Sequence, residues 1–181
     1  MSQTLENSSR ILVIGCGGSG KTTLAVSLGA ALKIPVVHLD TLFWNPGWIP
    51  TRPDEWQRIV DAEVDRHSWI MDGNYGGTLD RRIAAADTII FLDLPRRTCL
   101  RRVVRRRVNY LGRSRPEMPD GCHERVNLEF IRWIWTYRKL RRPGILEKLA
   151  AASHARVHVL DSARAVDDFL NGISGIRALL R

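Results

Sequence analysis

The chain has 181 residues, enough for one domain with a full hydrophobic core, and an ordinary globular composition with 44% hydrophobic and 26% charged residues. No apolar run approaches the roughly 18–20 residues that span a bilayer, and the polar stretch Met1 to Arg10 lacks the apolar segment of a secretion signal, so residues 1–9 read as a loose leader. The net charge of +9 is uneven: residues 96–142 hold 15 of the 28 Lys and Arg and only 4 of the 19 Asp and Glu, a net of +11 against −2 elsewhere.

In chain order, Ile11-Leu12-Val13-Ile14 is a short continuous apolar run of the kind found in a buried parallel strand. Glycines follow, and Lys21 to Leu32 reads as a helix. Pro35 to Leu39 reads as a second buried strand ending at Asp40. Pro53 to Arg66 is helical, with Thr51 as N-cap and Pro53 in the first turn. Ser68 to Met71 is a third strand ending at Asp72-Gly73-Asn74, and Thr88 to Leu92 a fourth ending at Asp93. Arg96 to Leu111 is an amphipathic helix, with Leu100, Val104, Val108 and Leu111 on one face and most of the arginines on the other. Residues 112–123 read as a loop and Glu124 to Leu140 as a return helix. Pro143 opens another helix, Arg156 to Leu160 is a fifth strand, and Ser162 caps a last helix around Val166 to Leu170.

Strands alternating with helices predict one doubly wound α/β domain over residues 1–181. Two segments, 41–67 and 96–142, read as excursions at the carboxyl ends of strands, where ligands of α/β sheets bind. Three cysteines, Cys16, Cys99 and Cys122, make no CxxC pair, which predicts a reduced, cytoplasmic protein. The five cysteine and histidine positions Cys99, Cys122, His123, His154 and His158 lack zinc-ligand spacing.

The sharpest signal is Gly15-Cys16-Gly17-Gly18-Ser19-Gly20-Lys21-Thr22, a full match to G-x-x-x-x-G-K-[ST] between an apolar strand and a helix. Its glycines let backbone N–H groups wrap around phosphates, and the following helix N-terminus adds positive partial charge. Lys21 is predicted to reach the β- and γ-phosphates of ATP or GTP, and the Thr22 hydroxyl to ligate Mg²⁺. Residues 15–23, with Thr23 at the end, form the nucleotide site. Asp40 and Asp72 are candidates to bind magnesium, orient water or take a proton, and their strands are expected to flank the phosphate-loop strand. Asp93, before Leu94-Pro95, reads as a helix cap. His38 is expected on the opposite strand face from Asp40, in the core.

The strong charge of residues 96–142 suits an anionic partner: nucleotide phosphates, a nucleic acid or an acidic protein. Solvated helix faces are the alternative, with 24 Arg against 4 Lys in the whole chain. Arginines pair bidentately with phosphoryl oxygens, so Arg102 and Arg106, one helical turn apart, are candidates to reach adenine and phosphate, with Arg138, Arg141 and Arg142 from the return helix. Residues from about 105 to 125 are expected to form a mobile lid. Phe43, Trp44, Trp48, Trp56 and Trp69 are expected to cluster around the first excursion, either stacking a base or sugar or forming a small core beneath the loop. Trp133 and Trp135 cannot share one helix face.

Residues 11–31 resemble the start of adenylate kinase-like small kinases. Trp69-Ile70-Met71-Asp72-Gly73 is similar to their third strand, whose Asp-Gly holds the magnesium shell, and Ile89 to Pro95 to their fourth. Arg102-Val103-Val104-Arg105-Arg106-Arg107 resembles the arginine signature that opens their lid. A closer likeness, over residues 11–170, is to bacterial DNA topology modulation (FlaR-related) proteins. It is carried by His38 to Trp44 with Pro46-Gly47-Trp48, Asp72-Gly73-Asn74-Tyr75, Arg113 to Pro116 with Asp120-Gly121-Cys122, and Arg132 to Trp135. These resemblances imply a nucleotide-kinase fold of the P-loop class: a five-stranded parallel sheet flanked by helices, with an arginine-rich lid.

Two departures bear on the acceptor. Asn74-Tyr75 follows Asp72-Gly73 where adenylate kinases carry an AMP-binding arginine, and Leu39-Asp40-Thr41 replaces their Thr-Gly-Asp stretch. An Asp at the end of the second strand is closer to shikimate- and gluconate-type kinases, where it contacts an acceptor hydroxyl. The expectation is therefore a small-molecule kinase with Lys21, Asp40, Asp72 and Arg106 as catalytic residues. The acceptor, a nucleoside, nucleotide or small polyol, would meet Asp40, Phe43, Trp44, Asn74 and Tyr75, and magnesium would meet Thr22 and Asp72. A nucleotide-dependent DNA binder is the alternative, although no recognisable DNA-reading motif is present. The acceptor, the base preference and the oligomeric state stay open.

Overall fold

The computed structural model describes residues 5, 8–110, 121–122 and 127–173. Five parallel strands form one sheet in the order β2-β5-β1-β6-β7: β2 (Val36–His38), β5 (Trp69–Asp72), β1 (Arg10–Gly15), β6 (Thr88–Leu92) and β7 (Arg156–Leu160). Because both faces are covered by helices, β1, β5 and β6 are almost wholly buried and apolar except at their ends (Arg10, Asp72 and Thr88), the pattern of parallel strands. The helices are α1 (Lys21–Leu32), α2 (Leu39–Phe43), α3 (Pro53–Val64), α4 (Leu79–Ala85), α5 (Arg96–Asn109), α6 (Leu128–Leu140), α7 (Arg142–Ala151) and α8 (Ala163–Asn171). No helix among the described residues is long and apolar enough to cross a membrane.

The first crossover skips a place. The chain leaves β1 through α1 and enters β2, and β5 then fills the gap, so β5 and β6 flank β1 while β2 does not. The expectation that Asp40 sits on a strand beside the phosphate-loop strand is corrected on this point. Asp40 is not at a strand end either: the strand stops at His38 and Asp40 lies in the first turn of the short helix α2. Between α2 and α3 the chain makes a small antiparallel hairpin, β3 (Trp44–Asn45) with β4 (Ile49–Pro50).

Other local expectations change for identifiable reasons. Thr51 does not cap α3; it is buried and its hydroxyl donates to the Phe43 carbonyl at 2.8 Å, tying the hairpin to α2. Trp69 does not join the excursion aromatics but lies fully buried in the core, its indole N–H on the Val64 carbonyl at 3.2 Å. In α5 the buried face is Cys99 and Val103, whereas Val104 and Val108 are exposed. Asp93 does not cap α5: it is buried, and its Oδ2 accepts from Arg142 Nε at 2.7 Å, with Arg138 at 3.6 Å. Ser162 does cap α8, its hydroxyl accepting from the Ala165 N–H at 3.2 Å. Within the expected leader, Leu5 is buried in the core and the Ser8 hydroxyl meets that of Thr88 at 2.8 Å. The centre of the expected lid, residues 111–120 and 123–126, lies outside the described residues.

One interaction that sequence reading missed holds the loop after β5. Arg82 of α4 is fully buried and, among the described residues, pairs with no carboxylate. Its guanidinium instead donates to the Gly73, Asn74 and Tyr75 carbonyls at 2.8–2.9 Å and to the Thr78 hydroxyl at 3.3 Å. Burial lowers its pKa to about 10, which still leaves it charged at neutral pH. The five-donor fork suits this task, since one rigid group satisfies the Gly73 and Asn74 carbonyls and adds a bond to the Tyr75 carbonyl, which also accepts from the Thr78 N–H.

Replacing Arg82 with Met is therefore expected to cost about 3 kcal/mol of unfolding free energy, because each stranded buried acceptor costs about 1–3 kcal/mol. Urea denaturation measures it. A loss below about 1 kcal/mol would mean that the carbonyls are satisfied some other way.

Candidate active site

The phosphate loop runs from the end of β1 into α1. Gly18 has φ +78°, and a Cβ there would lie 2.4 Å from the Cys99 carbonyl, so loop and α5 are packed too closely for any side chain. Helix α1 begins at Gly20 with no side-chain cap and no acidic residue in its first turn. Its first N–H groups and the positive end of its dipole thus face the loop uncompensated, the arrangement that receives an anion. Lys21 lies along the loop, its Nζ donating to the Cys16 carbonyl at 3.1 Å. The Ser19 hydroxyl is buried and has no partner among the described residues, and Thr23 is exposed on the first turn of α1. Cys16 and Cys99 are both buried and in side-chain hydrogen-bonding contact; that contact and burial push the Cys16 thiol pKa up.

Thr22 and Asp72, both expected at the magnesium ion, lie against each other. The Thr22 hydroxyl donates to Asp72 Oδ2 at 2.8 Å, across from β5. The other Asp72 oxygen, Oδ1, lies 2.8 Å from His38 Nδ1. His38 is thus not a core side chain on the far face. Residues two apart in a strand share a face, and in any case the strand ends at His38. Because β2 and β5 are registered with His38 opposite Asp72, the two side chains leave the sheet edge side by side.

Asn74, expected at the acceptor, lies against the phosphate loop: its Oδ1 accepts from the Gly15 N–H at 3.0 Å and its Nδ2 points to the Tyr137 hydroxyl at 3.4 Å. Tyr75 and Asp40 do come together. The Tyr75 hydroxyl donates to Asp40 Oδ1 at 2.6 Å, and burial with the adjacent Asp40 charge pushes the phenol pKa well up. Around them Phe43 packs on Trp44, Trp56 and Tyr75 at centroid distances of 4.7–5.0 Å, and Trp44 meets Trp48 at 5.4 Å. Trp56 is buried, so part of the cluster is a core beneath the hairpin, while Phe43, Trp44 and Trp48 stay partly exposed.

The arginines divide. Arg102 donates to the Ser19 carbonyl at 2.9 Å and so lies directly against the phosphate loop. Arg106 sits one turn further along α5, half-buried. Arg138 and Arg142 are directed at Asp93, and Arg141 is exposed. From α6, Phe130 and Trp133 stack at 5.9 Å, and Phe130 lies so close to Gly17 that a Cβ there would be 2.8 Å from its ring. Trp135 is exposed, with Arg96 over its ring at 3.9 Å. Sequence reading missed His38, Phe130 and Tyr137 as neighbours of this site. Only the register of the strands and the return of α6 over the loop bring them there.

No protein-family model and no curated protein matches the chain. Solved structures do. A shikimate kinase from Acinetobacter baumannii in complex with shikimate superposes with a TM-score of 0.56 at 17% identity, covering 97% of this chain and 93% of that one. A gluconokinase from Sinorhizobium meliloti 1021 gives a TM-score of 0.50 at 17% identity, covering 94% and 93%. At such identities the likeness establishes the fold: an α/β P-loop architecture with a five-stranded parallel sheet flanked by helices, shared with small-molecule kinases.

Proposed function

We propose that this protein is a phosphotransferase that moves the γ-phosphoryl group of ATP, or GTP, to a hydroxyl of a small acceptor. The observation that carries the reading is Asp40, presented beside a partly exposed aromatic cluster at the same end of the sheet as the phosphate loop and held there by Tyr75. The α/β likeness to a shikimate kinase and a gluconokinase supports it.

In this reading the loop N–H groups that follow Gly15 cradle the phosphates, and Lys21 leaves the Cys16 carbonyl to meet the β- and γ-phosphates. Magnesium suits the donors present, a threonine hydroxyl with a buried carboxylate behind it and no sulfur or nitrogen ligand required; bound there it would neutralise charge on the transferring group. Thr22 would hold it, with Asp72 fixing the Thr22 hydroxyl. Tyr75 occupies one oxygen of Asp40 and leaves the other to take the proton of the acceptor hydroxyl as it attacks. Arg102 and Arg106 would pair with phosphoryl oxygens.

The acceptor class follows from what surrounds Asp40. Arg82, the cation buried behind Tyr75, has its donors committed to carbonyls, and the cluster facing Asp40 is aromatic. That favours an uncharged polyol or nucleoside, with a ring or carbon face for the aromatics and a hydroxyl for Asp40. Nucleic-acid binding draws on the exposed arginines Arg97, Arg101 and Arg105 of α5, but Arg102, Arg138 and Arg142 are engaged within the fold. Steep salt dependence of DNA affinity together with nucleotide dependence would favour that reading instead.

Two substitutions test the proposal, read as ADP formation across a panel of polyols, nucleosides and hydroxy acids above the hydrolysis background. Lys21→Ala should abolish acceptor-dependent turnover while the protein stays folded; wild-type turnover in the folded variant would refute the nucleotide site. Asp40→Asn should lower kcat by about 10²–10⁴-fold, the range lost with a general base. Nucleotide affinity should stay within about three-fold of wild type, since Asp40 touches the acceptor rather than the loop. A collapse of nucleotide affinity instead would move Asp40 into the magnesium shell.

A further inference from the structure

Asp72 is 5% exposed, and both its oxygens are engaged, Oδ2 by the Thr22 hydroxyl and Oδ1 by His38 Nδ1, each at 2.8 Å. Among the described residues no lysine or arginine pairs with it. We propose that His38 is a positioning residue for the magnesium ion of this site: it fixes the Asp72 carboxylate so that Oδ2 stays on the Thr22 hydroxyl. The inference rests on the nucleotide reading above and adds to it the residue on which the cation's affinity depends.

Three features argue for it. The register of the parallel strands places His38 directly opposite Asp72, so the contact is set by the sheet rather than by a mobile loop. The contact is largely sheltered, with 20% of the His38 side chain and 6% of the Asp72 side chain exposed. Oδ1 would then lose its donor with little water to replace it, and the carboxylate would be free to turn about its Cβ–Cγ bond. The donor is also of the right kind. A lysine or arginine in this place would bring a fixed positive charge beside the cation, whereas an imidazole N–H satisfies the oxygen through one directed bond and sets the carboxylate plane. Thr22, Asp72 and His38 thus form a line of contacts from the first turn of α1 across β5 to the edge strand β2.

Calorimetric binding of a non-hydrolysable ATP analogue, with and without Mg²⁺, tests this without any acceptor. In the wild type magnesium should tighten the analogue. In His38→Ala and in His38→Phe, which keeps a ring but has no donor, that tightening should shrink by about ten-fold, the lower end of what lost outer-shell partners cost. Affinity in EDTA should stay the same. His38→Asn, whose amide N–H can stand near the Nδ1 position, should recover most of the loss. Thermal melting identifies folded variants, and the phenylalanine variant serves if alanine does not fold. An unchanged magnesium effect in either donor-free variant, or an equal loss with and without magnesium, would overturn the proposal, the second outcome marking a merely structural role. If the wild type binds the analogue with no magnesium effect at all, the magnesium site itself falls and this role with it; if it does not bind, the nucleotide reading falls as well.

Discussion

A carboxylate buried at the edge of an apolar sheet must be fully hydrogen-bonded or it destabilises the fold. Asp72 meets that demand by drawing on two elements that are distant in sequence, the first turn of α1 and the end of β2. Much of the site follows from this. With Asp72 fixed on β5, Gly73 has to turn sharply, its φ of +141° bringing it so close to Leu39 that a Cβ would lie 2.8 Å away. That turn presents three successive carbonyls to Arg82, and it aims Asn74 at the Gly15 N–H and Tyr75 at Asp40. The four residues after Met71 therefore address Thr22 and His38, the backbone turn, the phosphate loop and Asp40 in succession. Their geometry is determined by satisfied polar groups rather than by apolar packing.

The arginine-rich segment, read by net charge alone, looks like one surface with one partner. Its geometry separates it into groups with different tasks. Arg142 balances the buried Asp93 at the end of β6, Arg102 braces the Ser19 carbonyl, and Arg96 covers the exposed Trp135. A guanidinium that already donates to a carbonyl or carboxylate has less to offer a nucleic acid, so the segment's net charge overstates its capacity for long-range phosphate binding.

The α/β class, the five strands and most helices were legible because each strand is a short apolar run closed by turn residues, and because the phosphate-loop motif has a backbone reason for nearly every position. What was not legible falls into two kinds. Short elements carry too few residues to show a period: Leu39 to Phe43 continues the apolar run of β2, so its turn into a five-residue helix had no sequence signal, and Asp40 was read one element too early. Contacts between distant segments were the second kind. His38 pairs with Asp72 only because β5 inserts between β1 and β2, and the role of Asn74 at the phosphate loop depends on the same insertion. Asn74, expected at the acceptor, has its side chain on the Gly15 N–H and the Tyr137 hydroxyl instead. Trp69 was assigned to the excursion by proximity in sequence, whereas its position at the start of a central strand puts it in the core.

The two excursions at the carboxyl end of the sheet also meet. The hairpin β3–β4 turns through Gly47 and Trp48, both with positive φ, and Trp48 is costly there because its side chain crowds the backbone. At this turn the Gly47 N–H donates to the Gly121 carbonyl at 3.3 Å, and the buried Cys122 thiol contacts the Asn45 carbonyl at 3.2 Å. Trp44 pairs with Pro50 and Asn45 with Ile49 in the same hairpin, and Trp44 in turn packs on Phe43 of the helix that carries Asp40. A displacement of residues 121–122 would therefore be felt at Asp40 through a continuous path of backbone hydrogen bonds and ring contacts. On the other side α6 rests Phe130 against Gly17. The basic excursion thus touches the phosphate loop through α5 and α6, and the hairpin beside the Asp40 helix through residues 121–122.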